Sequence, residues 1–310
     1  MLRTRQFTAA CFLAASLGSL SFLGADDERV IEGKNGIQHV LLISIDGMHA
    51  LDYQNCVNKG ICPNLAALGE HGVTYTRATT SKPSDSFPGL MALVTGATPK
   101  THGAFYDVAY DRVLAPPFTD TGNGLFAGPC IKNTANGTRT EYEEGVDIDQ
   151  SKLNGGGPYG TYDGGYKSID PGKLPRDPFK SDPTYVCAPV YPWNFIRANT
   201  ICGVIHAAGG YTAWSDKHAV FAAVSGPTGT ATPSNVDDYY SPDVNSNVIA
   251  PAWSHHCPTA EMVSEIKFVD AAIGQMTDEL QEQHLLESTL IIVTAQARPV
   301  SHRYAPVLRA

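Results

Sequence analysis

Apolar runs alternate with amphipathic stretches along most of this chain. Residues 39–47, HVLLISIDG, form a continuous apolar run that ends in Asp-Gly, a pattern typical of a buried parallel strand. A short helix is predicted over 62–72, CPNLAALGEHG, and the β-branched segment 73–80, VTYTRATT, predicts a second strand. A turn at Ser86 then leads into a further apolar helix, GLMALVTG.

The middle of the chain has a different composition from the segments on either side of it. Residues 110–189, hereafter the excursion, are rich in Gly, Pro, Asp and Tyr and predict a long loop over the core. Residues 258–286 predict a long amphipathic helix, and 288–295, STLIIVTA, another buried strand. Strands that alternate with helices indicate an α/β fold with a mostly parallel sheet between helices.

Composition limits the classes of protein to consider. The chain has 310 residues, of which 43% are hydrophobic, so one large domain over 26–310 is expected. The net charge is −9, which argues against a nucleic-acid duplex as partner and is compatible with cation binding. The sequence does not indicate an oligomeric state.

Several features predict export. Residues 1–25 combine two arginines, an apolar stretch and small residues, which predicts a secretory signal peptide; a membrane anchor is the alternative, although the apolar run is short for a stable span. Six cysteines beyond this segment suggest three disulfides, with Cys56 and Cys62 close enough to pair. Asn136-Gly-Thr is a glycosylation sequon.

Two side chains follow predicted strands at the edge where parallel sheets bind ligands. Asp46 ends the first strand and is either a turn former or a metal ligand. Ser86 precedes a helix and is either its N-cap or a nucleophile at a helix N-terminus. Together they predict a metal on Asp46 that activates the Ser86 hydroxyl.

These residues resemble a known family. LLISIDGM, followed by PNLAALGEHGVTYTRATTSKPSDSFPGLMALVTGATPKTHG, is similar to the type I phosphodiesterase/nucleotide pyrophosphatase branch of the alkaline phosphatase superfamily. The resemblance implies that Asp46 is a metal ligand, with zinc as the expected ion, and that Ser86 is the metal-bound nucleophile acting on a small phosphate ester or nucleotide. Leu90 stands where the related sulfatases need Arg, which argues against a sulfatase.

Other family ligands are harder to locate. Asp216 and His218 in SDKH are interpreted either as pocket residues or as exposed polar residues, and His102 is expected to fix its own loop. From Gln296 the chain reads QARPVSHRYAPVLRA, where the family has a His-Gly motif. A one-base shift of suitable codons would read Lys-His-Gly-Gln-Ser-Pro, so we hypothesise that a frameshift or a misplaced splice boundary produced this tail.

The sequence thus predicts a secreted, metal-dependent phosphodiesterase or pyrophosphatase whose C-terminal metal ligands, and with them part of its activity, are missing. A non-catalytic secreted protein that retains the fold is the alternative, and a phosphomonoesterase would share the same nucleophile.

Overall fold

A computed structural model of the chain describes residues 36–122, 124–142, 146, 169–216, 218–240 and 260–296, and the backbone of 307–309. The strands are β1 (His39–Ser44), β2 (Val73–Tyr75), β3 (Val108–Asp111), β4 (Thr138–Glu141), β5 (Arg176–Asp182), β6 (Val186–Pro189), β7 (Ala213–Ser215), β8 (Asp238–Tyr240), β9 (Thr289–Thr294) and β10 (Val307–Arg309). The α-helices are α1 (Ala50–Asn58), α2 (Pro63–His71), α3 (Ser86–Thr95), α4 (Pro99–His102), α5 (Pro192–Phe195), α6 (Ile201–Ala207) and α7 (Ala260–Glu282). The signal-peptide prediction for 1–25 lies outside the described residues.

The central sheet has four strands in the order β1-β9-β10-β2. The two apolar runs predicted as buried strands are β1 and β9, and they pair in parallel, from His39 opposite Thr289 to Ser44 opposite Thr294. Strand β10 runs antiparallel to both of its neighbours.

The α/β class is therefore confirmed, while the parallel arrangement within this described sheet is confined to β1 and β9. Alternate side chains of β9 are buried, and Ile291 and Val293 pack with Leu65 of α2 and Ile273 of α7. The Cys56–Cys62 disulfide, as predicted, joins this cluster and ties α1 to the start of α2. One apolar core thus fixes the two strands whose ends carry the candidate site.

A second apolar cluster surrounds α3. Phe87, Leu90, Met91 and Val94 are buried along this helix, and they belong to a cluster that includes Trp193. Because nearly the whole helix is apolar and enclosed, its position is fixed by packing on several sides rather than by one amphipathic face. The residue at its N-terminus is consequently held in a defined place.

The excursion contains more structure than a loop prediction allows. Strands β3 and β4 pair antiparallel, as do β5 and β6. The Cys130–Cys187 disulfide closes this part of the chain, and the buried Arg176 donates hydrogen bonds to three backbone carbonyls around it. These contacts are far apart in sequence, which explains why local composition predicted only a loop.

Other parts of the sequence prediction need correction. Helix α1 was not predicted, and the second strand stops at Tyr75 instead of continuing to residue 80. Cys202 is a buried free thiol, so a third disulfide involving it is not formed; Cys257 lies outside the described residues. The long helix predicted over 258–286 is confirmed as α7.

Candidate functional site

Asp46 lies directly beyond the carboxyl end of β1. The backbone N–H of Ile45 still donates to Thr294 of β9, at 2.8 Å, so the parallel pairing continues up to the residue before Asp46. Gly47 then turns the chain with a φ of +74°, a conformation that glycine adopts without strain. The strand and the turn together leave the Asp46 carboxylate exposed at the sheet edge.

Ser86 is the first residue of α3, and it does not cap the helix. The N-cap is Asp85, whose Oδ1 accepts a hydrogen bond from the Ser86 backbone N–H at 3.0 Å. The Ser86 hydroxyl instead donates to Oδ2 of Asp46 at 2.8 Å. The structure therefore brings together the two residues that the sequence proposed as one site, and it assigns the capping role to the neighbouring aspartate.

The position of α3 depends on a close backbone approach. A Cβ built on Gly89 would lie 2.6 Å from the carbonyl carbon of Gln296, and closer still to the carbonyl oxygen. Ordinary van der Waals contacts of a Cβ begin at 3.4 Å. Only glycine lets the helix come this close to the chain leaving β9. The Ser44 hydroxyl also donates to the Gln296 side chain at 3.0 Å, so β1, β9 and α3 meet at one residue.

The immediate surroundings of Ser86 are acidic. Both side chains that the structure places in hydrogen-bond contact with this residue, Asp46 and Asp85, are carboxylates. A phosphate ester is itself anionic, and like charges a few ångströms apart repel. A cation close to Ser86 would offset this repulsion.

The described residues do not complete a zinc site. Asp46 and Ser86 offer two oxygen atoms, whereas a catalytic zinc ion usually takes three protein ligands, among them His, Asp, Glu or Cys. Within the part of the chain that the structure describes, no group of three or more His, Cys, Asp and Glu side chains could hold a metal ion.

The structure places Asp216 and His218 near the end of β7. Asp216 is half-buried, and its backbone N–H donates to Tyr240 at the end of the adjacent strand β8. His218 is 3% exposed, with its ring 6.1 Å from that of Phe221 in the apolar cluster around α3. His218 is thus enclosed beside the apolar cluster around α3.

A histidine that the sequence interpretation passed over lies close to Asp46. His49 precedes α1, and its backbone N–H and ring Nδ1 contact the buried Asp52 carboxylate at 2.8 and 2.9 Å. His49 lines a shallow surface depression. The lining residues of this depression are Ile45, Met48, His49, Tyr53, Val293, Thr294 and Ala295. The spacing His-x-x-Asp after Asp-Gly was the available signal.

Two further predicted residues have clear surroundings. The side chain of Asn136 is engaged within its own loop, where it accepts from Ile131 N and donates to the carbonyls of Ile131 and Thr134. His102 is fully buried, with Nδ1 accepting from Ala104 N at 3.2 Å, in agreement with its predicted role in fixing the loop. Burial lowers the pKa of His102 to about 4.

The chain was compared with known proteins. Residues 40–140 match the family of type I phosphodiesterases / nucleotide pyrophosphatases. An uncharacterized pyrophosphatase/phosphodiesterase of Schizosaccharomyces pombe is 35% identical over 82 residues, which cover 26% of this chain and 16% of the relative. Residues 40–140 contain both Asp46 and Ser86.

Two solved structures of murine ectonucleotide pyrophosphatase / phosphodiesterase 5 are also similar. An inactive variant in complex with AMP aligns with a TM-score of 0.45 and 15% identity over 83% of this chain and 56% of that one. A second structure of that protein gives 0.45 and 16%, over 84% and 57%. The chain spans less than two thirds of the length of each of these relatives. Over residues 40–140, the chain is thus similar to the type I phosphodiesterase/nucleotide pyrophosphatase branch of the alkaline phosphatase superfamily.

Proposed function

We propose that the chain is a secreted hydrolase of phosphate esters in which Ser86 is the nucleophile and a divalent cation is required. The observation that carries this proposal is the 2.8 Å hydrogen bond from the Ser86 hydroxyl to Asp46, at the edge of the sheet where the parallel strands end. The substrate class is a small phosphate ester or nucleotide, in keeping with the family that residues 40–140 match.

The chemical step follows from the placement of these two side chains. The Ser86 oxygen attacks phosphorus, forming a P–O bond while the bond to the leaving oxygen breaks and that oxygen keeps the electron pair. Asp46 accepts the hydrogen bond from the hydroxyl, so its carboxylate is placed to take the proton and to return it to the leaving group or to water. Water then attacks the phosphoserine, which releases phosphate or its monoester and restores the hydroxyl.

The cation requirement rests on charge. Asp46 and Asp85 both contact Ser86, so an anionic substrate approaches two carboxylates. The expected ion is zinc, although two oxygen ligands give it low affinity. We therefore propose that turnover by this chain is weak and requires a high concentration of added divalent cation.

Secretion is part of the same proposal. Residues 1–25 read as a signal peptide, and two disulfides, Cys56–Cys62 and Cys130–Cys187, suit an oxidising compartment. The helices of the described residues include none with the length and hydrophobicity of a membrane span.

The test is hydrolysis of bis(p-nitrophenyl) phosphate by the purified chain, with added zinc and after chelation by EDTA. We expect slow turnover that needs the metal and that falls at least a hundredfold in Ser86→Ala. Ser84→Ala is the matched control because Ser84 precedes the helix and its hydroxyl accepts a hydrogen bond from Thr80. Mass spectrometry of acid-quenched enzyme should find a phosphoryl adduct on Ser86.

The outcomes separate the candidates. Turnover that persists in Ser86→Ala contradicts the nucleophile assignment. A well-folded chain without Ser86-dependent turnover, with or without metal, favours the alternative of a non-catalytic protein that retains the fold. Fast, metal-dependent turnover by the chain refutes the proposed impairment and leaves the nucleophile assignment intact.

A further inference from the structure

The loop at 131–136 is built around the side chain of Asn136. Its Oδ1 accepts a hydrogen bond from the backbone N–H of Ile131 at 2.8 Å, and its Nδ2 donates to the backbone carbonyls of Ile131 and Thr134 at 3.0 and 2.6 Å. The backbone N–H of Asn136 donates to the carbonyl of Val113, just after β3, at 3.0 Å. Both N–H groups of the side-chain amide are therefore used inside the folded chain.

Asn136 is also the acceptor in Asn136-Gly137-Thr138, the one Asn-x-Ser/Thr sequon in the chain. Such a sequon is defined by its hydroxyl residue as well as by its asparagine. Thr138 is the first residue of β4, pairs with Asp111 of β3 and is 6% exposed. Its hydroxyl donates to the carbonyl of Arg139 at 3.1 Å. The folded chain thus withholds both the amide nitrogen and the hydroxyl of the sequon.

Two of the contacts that hold this loop involve residues made much later in synthesis. Cys130, directly before the loop, is joined to Cys187, which follows it by 57 residues. The backbone N–H of Asn133 donates to the carbonyl of Pro178 at 3.0 Å. At about 5–20 residues per second, a ribosome needs roughly 3–11 s to make the segment between the two cysteines. Asn136 is therefore made seconds before these contacts can close its loop.

We propose that Asn136 is glycosylated only while this part of the chain is unfolded, and that closure of the loop by the Cys130–Cys187 disulfide ends the modification. In the transfer, Nδ2 forms a bond to C1 of the sugar while C1 separates from the pyrophosphate oxygen of a lipid-linked oligosaccharide donor. The pyrophosphate leaves with the electron pair, and the amide proton passes to a base of the transferase. The inference rests on the secretion that forms part of the proposed function, and on no part of the catalytic proposal.

The folded loop can hold the product with the loss of one hydrogen bond. A glycosylated amide keeps its oxygen and one N–H, so the oxygen still accepts from Ile131. One of the two carbonyls bonded to Nδ2 loses its donor. Ile131 and Thr134 are exposed, so water can replace that donor. We expect both the glycosylated and the unmodified chain to fold, with occupancy set by how fast the loop closes.

The experiment is translation of the full chain with rough microsomes, under oxidising conditions and with dithiothreitol. Resistance to added protease measures translocation, and a mobility shift that peptide N-glycosidase removes measures occupancy. Thr138→Ala assigns the shift to this sequon. A second version carries a well-characterised cleavable signal sequence in place of residues 1–25, so that its translocation does not depend on the native segment.

A double variant, Cys130→Ser/Cys187→Ser, removes the disulfide that closes the loop. Cys56→Ser/Cys62→Ser is the matched control, because it removes a disulfide of the same kind from the apolar cluster around β9. A general effect of lost disulfides on folding would raise occupancy in both variants, whereas the proposed effect is confined to the first.

We expect partial occupancy under oxidising conditions. Because disulfide formation takes seconds or longer, dithiothreitol or Cys130→Ser/Cys187→Ser should raise occupancy at least about twofold, and the control should not. Equal occupancy with and without dithiothreitol, whether complete or absent, overturns the inference, as does an equal rise in both double variants. If only the version with the replaced leader is translocated, the proposed secretion is contradicted, and occupancy in that version still decides the inference.

Discussion

Asp270, in α7, caps a different helix, α2. Its replacement therefore tests how the helices packed against β9 are held in place. Its carboxylate accepts hydrogen bonds from the backbone N–H groups of Asn64 and Leu65, at 3.3 and 2.8 Å, at the start of α2. The Asn64 side chain adds a third donor, at 3.0 Å. Asp270 is 3% exposed, so these groups have little access to water in its absence.

Replacing Asp270 with Ala should leave the Leu65 N–H buried and unsatisfied, which costs about 1–3 kcal/mol, and should remove the cap of α2, worth about 1 kcal/mol. We expect a loss of about 3 kcal/mol in the free energy of unfolding. In a chain of this size such a loss lowers the melting temperature by roughly 5–10 °C.

Chemical denaturation followed by circular dichroism measures this change. Asp278→Ala is the matched control because it removes the same charge from an exposed position on the same helix. The two variants gain equally in helix propensity, so their difference isolates the buried hydrogen bonds. If Asp270→Ala unfolds within about 0.5 kcal/mol of Asp278→Ala, the capping argument is wrong.

Three other predictions follow from buried groups. Gly89→Ala should force α3 away from Gln296 and lower any Ser86-dependent turnover about a hundredfold, measured by the nitrophenyl assay; wild-type rates would contradict the contact. Burial raises the pKa of Cys202 to about 11, so its thiol should resist iodoacetamide at pH 8 until urea unfolds the chain; rapid native labelling would contradict its burial. Burial lowers the pKa of His102 to about 4, below its unfolded value of 6.5. Between these two pH values the unfolded chain binds a proton that the folded chain does not. The free energy of unfolding should therefore be highest above pH 6.5 and should fall by up to about 3 kcal/mol as the pH approaches 4. Urea midpoints at pH 7 and 4.5 measure this decline, and an equal decline in His102→Asn would contradict it.

Periodicity predicted the elements whose hydrophobic pattern is strong. The apolar runs of β1 and β9 and the long amphipathic helix α7 are found where the sequence placed them. Helix α1 was missed because its polar and apolar residues are mixed and its buried residues, Ala50, Asp52 and Cys56, include a carboxylate and no large apolar side chain. The strands of the excursion were missed because distant contacts, such as those of Arg176, hold them.

The proximity of Asp46 and Ser86 was predictable from the sequence, and the details of their contacts were not. SKPSDSFPG offers Ser84, Asp85 and Ser86 as alternative N-caps, all of residue types that cap helices well. Local preference cannot choose among them. Asp85 takes the cap, which leaves the Ser86 hydroxyl to donate to Asp46, a residue 40 positions away in sequence.

Gln296 connects the hypothesis of a shifted reading frame to a measurable contact. Its backbone carbonyl packs against Gly89, and this contact is available to any residue at 296. The contact of its side chain depends on the residue type, because the amide oxygen accepts a hydrogen bond from the Ser44 hydroxyl and the residue is 5% exposed. The lysine of the shifted reading has no acceptor for Ser44 and would bring a charge into this position.

Gln296→Lys should therefore destabilise the present chain by about 2 kcal/mol in urea unfolding. An unchanged midpoint would mean that the side chain at 296 does not contribute to the fold, and the transcript across codons 294–303 would then be the remaining test of the reading frame.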